Sequence, residues 1–136
     1  MNRLSAQRGF STFGWLVVLV IVGFFLTCFF KLGPHYLDNR YVVSALQSFA
    51  DQDINAMDRS EIKSQLQKFI QINGIRGTSE KSFKVVRLKD RTLINSVYEE
   101  RVHMFANVDV VLSFKQQLDS SNSEKCCKFL IETKPE

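Results

Sequence analysis

The sequence has few of the residues from which metal sites, disulfide frameworks and nucleophilic active sites are usually built. It contains three cysteines and two histidines, with no C-x-x-C pair and no histidine cluster, so neither a metal site nor a disulfide framework is expected. It also lacks a glycine-rich phosphate loop and a nucleophile motif. We therefore predict no metal, no cofactor and no catalytic residue, so the protein is not expected to be an enzyme.

The cysteines are unusually placed. Cys28 lies inside a long apolar run, and Cys126 and Cys127 are adjacent. Neighbouring cysteines can oxidise to a small ring or to an intermolecular bridge, but we expect two ordinary thiols with opposite orientations near the end of a strand.

Most of the chain also has almost no excess of basic over acidic residues. The net charge is +4, but Arg3 and Arg8 account for half of the excess, and from Lys31 onward 16 basic residues face 14 acidic ones. No nucleic-acid partner is therefore predicted. A local basic cluster favours a solvated hairpin face over a contact with phosphate or anionic lipid. It consists of Arg76, Lys81, Lys84, Arg87, Lys89 and Arg91.

The main feature that is present is an uncharged run from Phe10 to Phe30. As a helix it would cover about 32 Å, the thickness of a bilayer core. It is too long for a secretory signal core and lacks a small-residue cleavage site, so we predict an uncleaved membrane span. Trp15 and Tyr36 are candidate interfacial anchors, although Trp15 lies one turn inside the run, where it is equally compatible with an ordinary apolar side chain. Arg3 and Arg8 before the run place the N-terminus in the cytoplasm and the rest of the chain in the periplasm, with the protein in the inner membrane.

An alternative comes from the junction Gly9-Phe10, which resembles the cleavage site of a prepilin leader. Such a leader has a glycine before a phenylalanine and a long apolar helix after it. In that family a glutamate stands at the fifth residue after the cut, where this chain has Gly14. A filament stem also runs on as one helix, whereas Gly33-Pro34 predicts a break here. We expect the segment before Phe10 to be retained.

The residues after the span predict two amphipathic helices. Apolar residues at three- and four-residue intervals from Val42 to Ala50 indicate the first helix, with Asp38 or Asn39 as its cap. Asp58 and Glu61 have capping-box spacing at the start of the second, which ends at Asn73-Gly74.

Alternating apolar residues then predict an antiparallel sheet of three or four strands. The strands are TLINSVYEERVHMF and NVDVVLSFK, a shorter one around Phe83, and an edge strand in CCKFLIETK. The predicted fold is therefore α+β, with a transmembrane helix followed by two amphipathic helices packed on the sheet. The predicted division is a basic tail (1–9), a span (10–30), an exported domain (31–118) and a polar tail (119–136).

One dense group of polar residues lies in the long strand. Glu99, Arg101 and His103 would project from one face of it, which is compatible with catalysis. The same pattern is typical of a solvent-facing strand with an ion pair, which we favour. With Tyr98, and with Asn107 and Asp109 in the next segment, these residues are candidates for a structural or interaction motif.

Four segments of the chain resemble domain-of-unknown-function family 4845. The family is marked by QRG before a span, by K-L-x-P-x-Y-L-x-N after it, and by Y-E-x-R-V followed by N-V-D-V-V. In this chain the segments are Gln7–Gly9, Lys31–Asn39, Tyr98–Val102 and Asn107–Val111. The resemblance implies a small bacterial inner-membrane protein with one span and a pilin-like N-terminus. It implies no activity or cofactor, and its genes often neighbour that of signal peptidase I, which indicates the envelope.

Together these features predict a non-enzymatic protein of the cell envelope. Its partners would be the lipid bilayer and either an envelope protein or a second copy of the chain. A pilin-like subunit of a filament or secretion apparatus, processed after Gly9, is the alternative. An enzyme that uses Glu99, Arg101 or His103 is a third and weaker interpretation.

Overall fold

Two helices precede a four-stranded sheet in the computed structural model, which describes residues 11–78 and 80–132. Predictions about Arg3, Arg8, Gly9 and Phe10 lie outside the described residues, as does the end of the polar tail (133–136). The helices are α1 (Thr12–Gln47) and α2 (Arg59–Asn73), and the strands are β1 (Phe83–Arg87), β2 (Thr92–Phe105), β3 (Val108–Asp119) and β4 (Cys127–Lys128). The predicted α+β fold is confirmed.

Helix α1 is continuous over 36 residues and contains Pro34. The predicted break at Gly33-Pro34, and the separate helix after it, are therefore wrong. An internal proline removes one hydrogen bond and costs about 3 kcal/mol. Burial of Val42 and Leu46, both fully inaccessible to solvent, contributes about 1.5–3 kcal/mol each. Packing beyond Pro34 thus offsets the local preference for a break.

The two halves of α1 have different surroundings. The residues of α1 that are buried are Val42, Ala45 and Leu46, all near its C-terminal end. The N-terminal half exposes large apolar side chains, including Phe13, Phe29 and Phe30, each at least 70% exposed. Among the described residues, α1 is the one helix long and apolar enough to cross a membrane, so its composition weakly indicates membrane association.

The ends of α2 follow from local sequence. The carboxylate of Asp58 accepts a hydrogen bond from the backbone N–H of Ser60, and Gly74 ends the helix with a φ of 60°, a conformation that glycine adopts without strain. Both predicted ends are confirmed. The predicted caps Asp38 and Asn39 are wrong, because both residues lie inside α1.

The sheet is an antiparallel meander in the order β1-β2-β3-β4. Strand β2 has the predicted bounds, whereas β3 continues four residues beyond Lys115 and β4 is only two residues long. Between β2 and β3 the register shifts near the hairpin end, between His103 and Phe105.

The core lies between one face of the sheet and the two helices. It includes side chains from α1, α2 and the strands that face them, and the sheet's central strands contribute Tyr98 and Phe114. Its fully buried aliphatic members include Val42, Ala45, Leu46, Ile62, Leu66, Ile94 and Leu118. The two-layer arrangement predicted from the apolar stripes is confirmed.

The C-terminal segment also packs onto the domain. The side-chain amide of Gln117 donates to Asn95 Oδ1 and to the carbonyl of Ile131, and its oxygen accepts from the backbone N–H groups of Leu130 and Ile131. Residues 130 and 131 are thus held by buried polar groups rather than by apolar burial alone. The sulfur atoms of Cys126 and Cys127 are bonded to each other, so the predicted pair of free thiols is wrong.

Candidate functional site

The junction between α1 and the sheet contains a partly buried polar cluster centred on Asn39. The side-chain oxygen of Asn39 accepts hydrogen bonds from Gln116 Nε2 at 2.6 Å and from the hydroxyl of Tyr98 at 3.3 Å. Tyr98 and Gln116 are buried, on β2 and β3 respectively. Side chains alternate along a strand, so these even-numbered positions share one face of the sheet, and their contact with Asn39 shows that this face is turned toward α1. One amide of the helix therefore joins two neighbouring strands.

Three aromatic rings continue this junction. The ring of Phe114 lies 5.2 Å from that of Tyr98 and 5.6 Å from that of Tyr36, which meets it edge-on at 88°. Edge-to-face contacts of this kind add about 0.5–1.5 kcal/mol beyond the burial of area. Tyr36 lies on α1, so the aromatic contacts and the Asn39 cluster hold the same stretch of helix.

Burial raises the pKa of Tyr98 to about 12, and the nearby carboxylates Asp38 and Glu100 act in the same direction. The phenol therefore stays protonated at neutral pH and remains a hydrogen-bond donor to Asn39. A tyrosine held in this state is suited to a structural contact, since a general base or nucleophile would need the opposite shift.

A second set of contacts joins α1 to the tip of the β2–β3 hairpin. The ammonium of Lys31 donates to the carbonyl oxygen of His103 at 2.9 Å and also to that of Met104. The rings of Phe24 and Phe105 meet with their centroids 6.1 Å apart. The hairpin therefore lies along α1 as far as Phe24, well inside the predicted span.

The predicted polar group is divided between the two faces of the sheet. Glu99, Arg101 and His103 share the exposed face, as the alternation predicts, while Tyr98 points to the core. In the described part of the chain, Arg91 forms an ion pair with Asp119 and the His103 ring contacts the Asp109 carboxylate, but no ion pair joins Glu99 to Arg101. The predicted role of these residues as an interaction or structural motif stays a prediction.

Asp109 and Asn107 lie at the hairpin end of β3. Asp109 is the cross-strand partner of His103, and its carboxylate oxygen lies 2.7 Å from His103 Nδ1. Asn107 is exposed in the two-residue turn between the strands. Neither residue belongs to the Asn39 cluster, because the hairpin end and the cluster contact different parts of α1.

One concave surface lies along helix α1. A groove of about 1030 Å³ follows α1 between Val22 and Arg40, and its lining is almost entirely apolar. Glu99, Arg101 and His103 do not line it. Within residues 11–78 and 80–132, no group of three or more His, Cys, Asp or Glu side chains is placed to hold a metal ion.

Sequence reasoning missed the role of Asn39 and of Gln116. A signal for Asn39 was available, because it lies three residues before Val42 and seven before Leu46 and so falls on the buried stripe of α1. A polar residue on such a stripe needs a partner. For Gln116 no comparable signal existed, since β3 extends past its clearly alternating part.

A comparison with protein families matches residues 31–114 to the family described as Domain of unknown function (DUF4845). The match runs from Lys31, which contacts the hairpin, to Phe114, which packs on Tyr98. Comparisons with curated proteins and with solved structures found no match. Because the family match covers more than half of the 136-residue chain, the protein belongs to the DUF4845 family.

Proposed function

We propose that this DUF4845 protein is a single-span, non-enzymatic protein of the bacterial inner membrane. Its N-terminus lies in the cytoplasm, and its periplasmic α+β domain serves as an interaction or scaffolding module. The observation that carries the proposal is the continuity of α1, whose exposed apolar half and sheet-packed half form one 36-residue helix. A domain attached in this way would be presented at a fixed distance and orientation from the membrane.

The exposed half of α1 supports the membrane part of the proposal. From Thr12 to Phe30 the helix would cover about 28 Å, close to the thickness of a bilayer core. Its large apolar side chains lie mostly outside the core of the domain. A helix that is apolar on all sides requires hydrocarbon or protein around it.

The distribution of polar groups supports interaction rather than catalysis. At the junction, Tyr98 and Gln116 both donate hydrogen bonds to Asn39, and Tyr98 is held protonated. The exposed face of β2 and β3 combines Glu99 and Arg101 with Val97 and Val111, which are 44% and 49% exposed. An open surface of charged and aliphatic side chains is suited to a protein partner.

The orientation is tested with a reporter fused after the last residue of the full chain. We expect activity from a reporter that works only in the periplasm, because Arg3 and Arg8 precede the span and one lysine, Lys31, directly follows it. A chain that begins at Lys31 is the control, and its fusion should be inactive. Activity from a cytoplasm-only reporter on the full chain would contradict the topology.

A second candidate function is a pilin-like subunit of a filament or secretion apparatus, processed between Gly9 and Phe10. The continuity of α1 favours it, since a filament stem runs on under its domain. Gly14 still supplies no carboxylate for a buried amine, which is costly in hydrocarbon without a partner. Phe24, Phe25, Phe29 and Phe30 are bulky, whereas close packing of helices in a membrane favours small residues.

Intact-mass measurement on membrane-purified protein distinguishes these two functions. We expect the mass of the complete chain, with Met1 to Gly9 retained, because two features of the span disfavour a filament stem. A chain that begins at Phe10, especially with a methylated amine, would replace the simple anchor with the filament subunit. Gly9→Leu provides a control, since it should block a processing enzyme of this class and leave an unprocessed anchor unchanged.

A further inference from the structure

We propose that the tip of the β2–β3 hairpin, Phe105–Val108, inserts into the lipid layer beside α1 and forms a second contact with the membrane. The inference rests on the proposed function, because it requires α1 to be a membrane span. With this second contact, the domain lies directly against the lipid surface.

The depth of the tip follows from its contact with α1. Phe105 meets Phe24, and Phe24 precedes the end of the apolar run at Phe30 by six residues, or about 9 Å of helix. If the membrane ended at Phe24, the described apolar helix from Thr12 would cover only about 20 Å. That is well short of a hydrocarbon core of about 30 Å, so the tip lies below the lipid surface.

The side chains of the tip fit this location. Phe105 and Val108 are 48% and 46% exposed, and Ala106 and Asn107 form the turn between them. The turn needs a positive φ at Ala106, which is 47°. Three of the four side chains are apolar, and each keeps a large exposed area, which is the pattern of an element buried about 5–10 Å into the headgroup and acyl boundary.

Polar groups next to the tip are paired at the level of the membrane boundary. Lys31, the first charged residue after the apolar run, donates to the carbonyls of His103 and Met104. His103 also pairs with Asp109 across the hairpin. Unpaired backbone carbonyls and isolated charges are costly in an apolar medium. The pairing therefore lowers the cost of placing the tip in lipid.

Attraction of Lys89 and Arg91, two members of the basic cluster, to anionic lipid does not explain the contact. Lys89 and Arg91 lie in the turn between β1 and β2, at the other end of the 14-residue strand β2. At about 3.3 Å per residue this turn is roughly 40 Å from the tip. The tip is therefore proposed to contact the boundary between the headgroups and the acyl chains of the bilayer, through insertion of its apolar side chains.

Tryptophan quenching in proteoliposomes tests the insertion. The full chain is reconstituted in phosphatidylcholine brominated either near the headgroup or near the end of the acyl chains. Tryptophan is introduced as Phe105→Trp or Val108→Trp in a Trp15→Phe background. Val97→Trp is the matched control, because Val97 is 44% exposed on the same strand and lies eight residues from Phe105.

We expect both tip variants to lose most of their emission with bromine near the headgroup and to lose less with deep bromine. The Val97→Trp control should keep its emission in both lipids. Trp15 of the unmodified chain reports on the span. Quenched Trp15 with unquenched tip variants would overturn the insertion and leave the anchor in place. Unquenched Trp15 would overturn both the membrane span and the insertion. Equal quenching of the Val97→Trp control and of the tip variants would overturn insertion through the tip.

Discussion

Replacing Leu46 by alanine is expected to lower the free energy of unfolding of the domain by about 2–5 kcal/mol. Leu46 is fully buried in the core cluster between α1 and the sheet, so the change removes buried methyl groups and leaves a cavity. Urea unfolding of the full chain in detergent micelles, followed by circular dichroism, measures the loss.

Leu37→Ala is the matched control, since it makes the same change on the same helix at a side chain that is 58% exposed. We expect its effect to stay within about 0.5 kcal/mol. Equal losses for the two variants would show that the buried stripe of α1 does not hold the sheet. Both variants should remain in the membrane fraction, because neither alters the segment from Phe10 to Phe30.

Replacing Asn39 by alanine is expected to be the next most damaging change. It removes the oxygen that accepts from Tyr98 and Gln116. A buried donor left without a partner costs about 1–3 kcal/mol, and two donors are affected. The loss is measured by the same urea unfolding. Asn73→Ala is the control, because Asn73 is an exposed amide at the end of α2 and should change stability little.

A double-mutant cycle isolates the contact between Asn39 and Tyr98. Tyr98→Phe removes the phenolic hydroxyl and keeps the ring, so the double variant no longer leaves a buried hydroxyl unpaired. Its loss should be smaller than the sum of the two single losses by at least about 0.5 kcal/mol. Additive losses would contradict a direct interaction between the two side chains.

Several elements were determined by the sequence alone because their signals are local. Period-two alternation predicted the bounds of β2 from Thr92 to Phe105. The carboxylate of Asp58 and the left-handed conformation at Gly74 set the ends of α2 within a few residues of chain. The charge-free run gave the apolar half of α1 without reference to any other part of the protein.

Only the tertiary structure decided how α1 continues and what it contacts. Pro34 predicts a break by its local geometry, but the burial of Val42 and Leu46 against the sheet lies outside that local window and outweighs it. The pairing of Asn39 with Tyr98 and Gln116 joins positions 59 and 77 residues apart. The height of the hairpin tip beside Phe24 likewise depends on where α1 docks, because no local pattern in either segment encodes the position of the other.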